Sequence, residues 1–290
     1  MPTIPDRQDL DGSNAARNTV GIFQAGMGQL YDLIRTTLGV GGSTALQTKL
    51  AAQQALGVGG RNKIINGNFA INQRNVSGTV SLGAGQYGHD RWKAGASGCT
   101  YTIGTDGVDT NLNILSGSLI QVIEPSSIEA GTYCVSWEGS AGLLAGGSAY
   151  ASPYLIPNVP TNPSGGFYIE LGVGTLGKVQ LENAGAPTPF ERRSLDDETR
   201  RCRYFFRADV IGCLGQVSAG LPMGGVLTFD EPMRVTPTMG WVGNLLSASF
   251  YGGPPSYDTV TRYGFRHYRI ADGTQAAGSY IDSITCSAEL

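Results

Sequence analysis

Glycine is the residue that most constrains what this chain can fold into, because 43 of the 290 residues are glycine. That share is about twice the usual one, and the apolar runs between the glycines are short. Such a pattern favours many short strands joined by tight turns over long helices. With 41% hydrophobic and only 15% charged residues, the composition also differs from that of a disordered chain. We therefore expect a folded, mainly β protein.

The charges of the chain nearly cancel, since 20 Lys and Arg residues face 23 Asp and Glu residues and leave a net charge of -3. This balance excludes a strongly basic nucleic-acid binder, and any binding to phosphate-rich polymers would have to be local. No apolar run reaches the roughly 18 residues of a membrane-spanning helix. The first ten residues, MPTIPDRQDL, lack the basic start and apolar core of a signal peptide. We expect neither a nucleic-acid partner nor membrane insertion.

The cysteines are odd in number, widely spread and free of any CxxC pair. This usage argues against a zinc ribbon or a redox pair. It is typical of buried thiols in a protein made in a reducing cytoplasm. The five residues are Cys99, Cys134, Cys202, Cys213 and Cys286.

Residues 1–60 contain the only sustained helical periodicity. Apolar residues recur there at steps of 4, 3, 4, 3 and 4, the a/d spacing of a coiled-coil heptad. Glycines interrupt the pattern, each costing about 1 kcal/mol relative to alanine, so packing must stabilise the helix. The helix either lies on its own β domain or, as we favour, forms an anchoring and self-associating segment. Its heptad positions are Ala16, Val20, Phe23, Met27, Leu30 and Ile34.

From residue 62 onward the apolar period changes to two, which is the period of strands. The Asn66-Gly67 turn signal predicts a hairpin within NKIINGNFAINQR. Further strands are predicted for TYTIG, SLIQVIE, TYCVSWEG, FYIELGV, GKVQLEN, and after residue 207 for GGVLTFD, TMGWVG, SASFYG, DTVTRYGFRHYRI and SYIDSITC. This spacing is typical of sandwiches and jelly rolls. We expect a jelly-roll-like β-sandwich over residues 61–193 and a second, C-terminal β-sandwich domain over residues 208–290.

A dense cluster of charge lies between these two β regions: residues 191–207 hold ten of the 43 charged residues. Ser194 followed by Asp197 fits a capping box, which begins a helix. Acidic residues fill the first turn and arginines the last, where the helix dipole favours each charge. The sequence therefore predicts a short helical joint over residues 194–207.

Side-chain pairs within this segment support the same helix. Asp196 with Arg200 and Asp197 with Arg201 are i,i+4 pairs in the favourable order, each worth about 0.2–0.5 kcal/mol. The spacing also places three apolar residues on one face of the helix. They are Leu195, Cys202 and Phe206.

Motifs of enzyme chemistry are weak in this chain. The stretch GVGTLG, residues 172–177, matches GxGxxG, but a strand rather than a helix follows it, so we interpret it as a hairpin and not as a cofactor loop. The sequence has only two histidines, His89 and His267. No nucleophile elbow or carboxylate pair stands out, although carboxylates can converge from distant positions. We expect no catalysis and no cofactor.

Two polar clusters have both a functional and a structural interpretation. Asp106, Asp109 and Asn111 can ligate calcium, but the spacing of an EF-hand is absent, so no metal is predicted. The run HDRW, residues 89–92, offers four functional side chains to a sugar. A tryptophan buried beside an Asp–Arg pair is the commoner arrangement, and we favour it here.

Aromatic and cationic side chains alternate along DTVTRYGFRHYRI. Since successive side chains of a strand point to opposite faces, one set of them must face outward. Such a face suits stacking on sugar rings or pairing with anionic glycan groups. The alternative is that the aromatics are core and the arginines are rim. The candidate glycan-binding residues are Tyr263, Arg266, His267, Tyr268 and Arg269.

Several stretches, taken in order, resemble bacteriophage tail proteins, including tail-fibre and fibre-like appendage proteins. They are NKIINGNFAINQR, GHDRW, TYCVSWEG, GTLGKVQLENAGAPTPFERR with DDETRRCRYFF, EPMRVTPTM and the final AEL. The resemblance spans residues 62–290, and the QLE…TPFERR…CRYF block is its most specific part. One departure is Asn75, where the family often has glycine after the Gln-Arg pair.

This resemblance implies a β-sandwich like those of carbohydrate-binding domains, a virion location, frequent trimerisation and no catalysis. It also implies architectural roles for the motif residues, with Trp92 and Trp137 in the core and Phe190 and Arg192 at the core or the joint. The expected partners are further copies of this chain, most simply as a homotrimer, and other virion proteins bound through residues 1–60.

The resulting expectation is a tail-associated fibre or appendage, made in the bacterial cytoplasm, that contacts host-surface glycans during adsorption. One alternative is a collar, neck or baseplate decoration protein without receptor binding. Another is a depolymerase, which the scattered carboxylates and the lack of β-helix repeats disfavour.

Overall fold

The structure is a computed structural model that describes residues 60–290, apart from residues 165, 249, 251–252 and 273–274. Residues 60–290 form one compact unit. Its described residues contain fifteen strands, one α-helix and one 3-10 turn, which confirms the prediction of a mainly β protein. The predicted N-terminal helix, with its heptad positions from residue 16 to residue 34, lies outside the described residues.

Nine strands form one large sheet, and β3 is its central strand. β2 pairs along one edge of β3, while β8 and β9 pair along the other edge. The path of neighbours runs β6-β5-β8-β3-β9-β4-β7, with β1 paired to β2. The strands are β1 (Thr79–Leu82), β2 (Lys93–Asp106), β3 (Asp109–Ile123), β4 (Gly131–Glu138), β5 (Leu143–Ala145), β6 (Ser148–Tyr150), β7 (Tyr154–Val159), β8 (Phe167–Leu171) and β9 (Gly174–Asn183). A 3-10 turn at Pro125–Ser127 follows β3.

The large sheet encloses one apolar core, filled from alternate positions of its strands. Along β4, for example, Tyr133, Val135 and Trp137 belong to this core, while the intervening Cys134 is buried outside it. Trp92, just before β2, is fully buried in the same core. The strand predictions for TYTIG, SLIQVIE, TYCVSWEG, FYIELGV and GKVQLEN are thus confirmed by β2, β3, β4, β8 and β9.

The GVGTLG segment is not the predicted hairpin. β8 and β9 do not pair with each other; they follow one another along the same edge of β3. Leu171 faces Leu119 and Gly174 faces Ile114, so the chain keeps its direction across residues 172–173. The glycines allow a local break rather than a reversal: a Cβ on Gly174 would lie 2.6 Å from the Ala141 nitrogen.

Residues 60–78 precede the first described strand, and we call them the leading loop. The Asn66-Gly67 turn is present, with Asn66 at φ +58°, but the predicted hairpin around it is wrong because no ladder forms. Instead the Asn66 side chain makes the hydrogen bonds that a partner strand would make: it accepts from the Ile71 N–H at 2.9 Å and donates to the Ile71 carbonyl at 2.8 Å. Local side-chain hydrogen bonds of this kind compete with ladders.

The second half of the described chain begins with the helix α1 (Leu195–Arg203) and continues as two small sheets. One has the order β10-β15-β12 and the other β11-β14-β13, all antiparallel. The strands are β10 (Phe206–Val217), β11 (Pro222–Thr228), β12 (Thr238–Ala248), β13 (Ser256–Thr261), β14 (Gly264–Ile270) and β15 (Gln275–Ser287). β10 is not predicted from the sequence, because its start overlaps the charged segment.

The run DTVTRYGFRHYRI is a hairpin rather than the single strand predicted. It turns at Arg262 and Tyr263, between β13 and β14, and the Tyr263 N–H donates to the Thr261 hydroxyl at 3.2 Å. Gly264 then takes φ +148°, and a Cβ there would lie 2.2 Å from the Leu227 carbonyl oxygen. Only glycine fits both conditions, so the strand breaks at this position.

Two further apolar clusters lie among the small sheets, separate from the core of the large sheet. One contains Phe229, Phe265 and Ile284, and the other contains Phe250 and Tyr280. All five cysteines are free, and four are buried as predicted, while Cys213 is partly exposed. Within the described part of the chain, no helix is both long and apolar enough to span a membrane.

Replacing Gly67 by alanine tests how closely the leading loop packs on β9. A Cβ at this position would lie 2.2 Å from the Val179 carbonyl oxygen, beside the hydrogen bond from Val179 N–H to Gly67 O. Because backbone must shift, we expect Gly67→Ala to lower the free energy of unfolding by about 1–3 kcal/mol. Gly185→Ala is the control, since no atom lies within 4 Å of its added Cβ. Equal urea midpoints for the two variants would contradict this packing.

Candidate functional site

The short helix predicted between the two β regions is present as α1. The Ser194 hydroxyl caps it by accepting a hydrogen bond from the Asp197 N–H at 3.2 Å. Both predicted ion pairs form, Asp196 with Arg200 at 3.3 Å and Asp197 with Arg201 at 3.1 Å. All four charged side chains are exposed to solvent, so each pair adds only a few tenths of a kcal/mol.

The buried face of α1 differs from the predicted one. Cys202 is fully buried as expected, but Leu195 is 65% exposed and Phe206 belongs to β10. The other buried position of the helix is Glu198. A carboxylate can be buried here because hydrogen-bond donors meet it. The helix therefore docks on a polar loop, which a hydrophobic-face pattern does not anticipate.

Two glutamates fasten the leading loop to this charged segment. Glu198 accepts a hydrogen bond from the Asn66 N–H and pairs with Arg193 at 3.2 Å. Glu191 accepts from the Asn62 N–H at 2.6 Å. Both carboxylates are buried, so the donors around them replace lost water and fix the position of the loop.

Two arginines, one in the leading loop and one just before β2, stack on the aromatic rings at and just before the start of β10. The Arg91 guanidinium lies 3.5 Å from the ring centroid of Phe205, and that of Arg74 lies 3.6 Å from that of Phe206. Arg91 is only 2% exposed, and its Nη2 donates to the Val122 carbonyl at 2.6 Å. Cation–π contacts are strongest when desolvated in this way.

Glu289 supplies the negative charge that these arginines require. It accepts hydrogen bonds from Arg91 Nη1 and from Arg74 Nη2, the second at 3.1 Å. Next to it, the main-chain oxygen of Leu290 accepts from the Tyr87 hydroxyl at 2.5 Å. Burial, with the nearby Glu289 charge, raises the pKa of Tyr87 to about 12. We call this set of contacts between the large sheet, α1, β10 and residues 288–290 the junction.

The two remaining predicted joint residues, Arg192 and Phe190, lie just before α1. Both terminal nitrogens of Arg192 donate to the Asp109 carboxylate at 2.6 Å, and this pair holds the pKa of Asp109 below its usual value. Phe190 is partly buried and lines a cavity of about 300 Å³. Asp109 also accepts from Asn68 at 3.1 Å, so its oxygens are occupied by protein donors. In the described ranges no three His, Cys, Asp or Glu side chains group as a metal site.

The five residues predicted to contact glycans do not share one surface. Tyr263 is 61% exposed at the β13–β14 turn, Arg266 is exposed and Tyr268 is partly exposed. His267 and Arg269, by contrast, are buried at 4% and 3% exposure. Alternation along β14 was recognised, but it does not say which face points inward. Only Tyr263, Arg266 and Tyr268 are accessible to a ligand.

Arg269 can be buried because it pairs with Asp282 on β15. Its Nε and Nη2 donate to the two Asp282 oxygens at 2.7 and 2.6 Å. Trp241 and Asn244 donate to the same carboxylate at 3.2 and 3.1 Å. Burial by itself pushes the pKa of Asp282 upward, but these hydrogen bonds outweigh it and leave the pKa lowered. The cluster is a buried structural ion pair.

Both histidines are buried against tyrosine hydroxyls. His89 Nδ1 lies 3.1 Å from the Tyr101 hydroxyl, and His267 Nδ1 lies 2.8 Å from that of Tyr280. Burial lowers the pKa of His89 to about 4 and also lowers the pKa of His267. The neighbouring Trp92 is fully buried as expected, but Asp90 and Arg91 do not pair with each other: Asp90 pairs with Arg74 at 3.5 Å, and Arg91 pairs with Glu289.

A groove of about 440 Å³ lies along the junction, and we call it the junction groove. Its lining includes Lys63 from the leading loop, Glu124 beside the 3-10 turn and Tyr204 at the end of α1, with Arg91 and Phe205. The sequence does not predict this groove, because its residues come from distant segments and form no motif. The only signal near it was the charge density of α1.

No family model matches this chain, and no curated protein or solved structure matches it either. The resemblance to phage tail proteins therefore stays a prediction from the motifs. The predicted anchor positions, from Ala16 to Ile34, lie outside the described residues, so their role stays a prediction as well.

Removing the charge of Glu289 tests whether the junction couples the two halves of the described chain. Glu289→Gln leaves Arg91 buried without a countercharge, which typically costs about 3–5 kcal/mol. We expect the free energy of unfolding in urea to fall by an amount of that order. The matched control is Glu138→Gln, whose carboxylate is 60% exposed and pairs with Lys178 at 2.8 Å; there we expect less than about 1 kcal/mol. Equal losses in both variants would refute the coupling.

The buried histidines predict an acid-sensitive fold. Because the folded pKa of His89, about 4, lies below the ordinary value of 6.5, the unfolded chain binds the proton first. Stability from this residue is fully present above pH 6.5 and is lost as the pH falls toward 4, by at most about 1.4 kcal/mol per pH unit. His89→Gln should therefore flatten the dependence of unfolding free energy on pH in that window. An unchanged slope would show that the imidazole is not held neutral.

Proposed function

We propose that this chain is a structural protein of the bacteriophage virion: a tail-associated fibre or appendage that contacts host-surface glycans during adsorption. The observation that carries the proposal is the junction, where Arg91, Phe205 and Glu289 tie the halves of the described chain together by buried contacts. A protein that holds a binding surface at a fixed place needs such coupling. The tail-protein motifs in the sequence support the same assignment.

The finer architecture belongs to this proposal. It consists of a helical virion anchor in residues 1–60, a jelly-roll-like β-sandwich over residues 61–193, the helical joint over residues 194–207, and a second β-sandwich over residues 208–290. The single core of the large sheet and the separate clusters of the small sheets support the two β parts, and α1 supports the joint.

Association into a homotrimer is part of the proposal, and one face of the sheet β10-β15-β12 supports it. Gly212 and Leu246 both pair with Ile281, which places Val210 and Leu214 on the same face. These four apolar side chains are between 36% and 75% exposed, and a second copy of the chain would cover them. Several weak sugar sites on one oligomer would then act together through avidity.

The second candidate is a collar, neck or baseplate decoration protein without receptor binding. Burial of His267 and Arg269 favours it, because it removes two of the five residues expected to meet a glycan. In both proposals the protein is not an enzyme and needs no cofactor.

Immunogold labelling of the particles made by the phage that encodes this chain tests the virion assignment. With antibody raised against the full chain, we expect label at the tail or a tail-proximal appendage, and none on particles from a deletion strain. Purified full-length chain should also bind host cells, and periodate oxidation of the cells should abolish binding, since it destroys sugar diols. Unlabelled particles would refute the proposal. Labelled particles with no binding to cells would favour the decoration protein.

A further inference from the structure

The junction groove has the size of a small-molecule binding site. Its volume of about 440 Å³ lies within the roughly 300–1,000 Å³ of known small-molecule sites. One wall belongs to the leading loop, through Lys63, and another to α1 and Tyr204. The buried carboxylates of Glu191 and Glu198, which lie outside the groove lining, fasten that loop to the segment that carries α1.

Two opposite charges in its walls have no partner among the described residues. Neither the Lys63 ammonium nor the Glu124 carboxylate makes a side-chain hydrogen bond or an ion pair there. The exposed charges of α1 at the groove are paired instead, Arg201 with Asp197 at 3.1 Å and Arg200 with Glu231 at 3.0 Å. The groove thus offers one free cation and one free anion, more than 4 Å apart, since no ion pair joins them.

The lining of the groove also includes a buried arginine and an aromatic ring. Arg91 is 2% exposed, and its two terminal nitrogens donate to Glu289 and to the Val122 carbonyl. Tyr204 is partly exposed, and its ring packs edge-on against Phe205 at 5.0 Å. Its hydroxyl makes no hydrogen bond within the described part of the chain. The Tyr204 ring and hydroxyl are thus the aromatic and polar surface that the end of α1 adds to the groove.

A ligand that suits this set must accept hydrogen bonds from Lys63, donate to Glu124 and lie flat against Tyr204. A pyranose ring does all three, because each hydroxyl both donates and accepts and the C–H face packs on aromatic rings. A phosphate offers mainly acceptors and so does not suit Glu124. An apolar ligand would leave both Lys63 and Glu124 without a hydrogen-bond partner. We propose that the junction groove binds a saccharide, with Lys63, Glu124 and Tyr204 as the contacting residues. This deepens, and rests on, the proposed contact with host glycans.

Saturation-transfer NMR and calorimetry on the full-length chain test the site. The probes are the methyl glycosides of glucose, galactose, N-acetylglucosamine and glucuronic acid. We expect at least one to bind, and Lys63→Gln, Glu124→Gln and Tyr204→Leu each to weaken it by about tenfold or more. Tyr168→Leu is the matched control, since this tyrosine is 57% exposed and lies outside the groove lining. It should bind like the unaltered chain.

Tyr263→Leu separates the groove from the site predicted on the β13–β14 turn. Loss of binding in this variant, with binding kept in the groove variants, would overturn the proposal. Absence of binding by all four probes up to about 10 mM would overturn it too. If Tyr204→Leu does not fold, the two variants at Lys63 and Glu124 decide, because both side chains lie in partly exposed positions. Tail labelling without saccharide binding would refute the groove and leave the virion assignment standing.

Discussion

The guanidinium of Arg91, buried on the ring of Phe205 and paired with Glu289, is the interaction on which the arrangement of the described chain depends. A charge out of water is tolerated only when other groups replace its solvation. Here those groups come from three segments that are far apart in sequence. The large sheet, the end of α1 and residues 288–290 must therefore all be in place before the charge is satisfied, and this requirement makes the two halves of the described chain cooperative.

The same device recurs elsewhere in a chain that has few charges. Arg269 with Asp282 and Arg192 with Asp109 each join distant segments through a carboxylate that is shielded from water, and Glu198 joins the leading loop to α1 in the same way. Breaking such a pair leaves a costly unpaired charge, whereas sliding along an apolar surface costs little, so ion pairs of this kind fix relative position. A protein whose proposed task is to hold a surface in one place benefits from that property. The exposed pairs on α1, by contrast, contribute little to stability.

The junction groove lies where the coupled segments meet, and the polar groups of those segments give its lining its chemical character. Its walls are parts of the contact between a loop, a turn and a helix end, each of which had to bury polar groups. Most of those groups are paired within the described part of the chain, while the Lys63 ammonium and the Glu124 carboxylate have no partner there. A concave surface with leftover donors and acceptors beside an aromatic ring is what a polyhydroxyl ligand fits best.

The sequence by itself determined the features that depend on near neighbours. The cap and ion pairs of α1 lie within four residues of one another, and the strands β3, β4 and β9 follow from alternation, so local patterns suffice for both. Tertiary structure alone decided the rest. The Asn66 side chain bonds to the backbone of Ile71, and no hairpin ladder forms there. β8 and β9 lie along one edge of β3 because both pair with it. His267 faces inward, where its ring nitrogen meets the Tyr280 hydroxyl. The junction groove was beyond prediction for the same reason: its residues meet only after distant segments fold together.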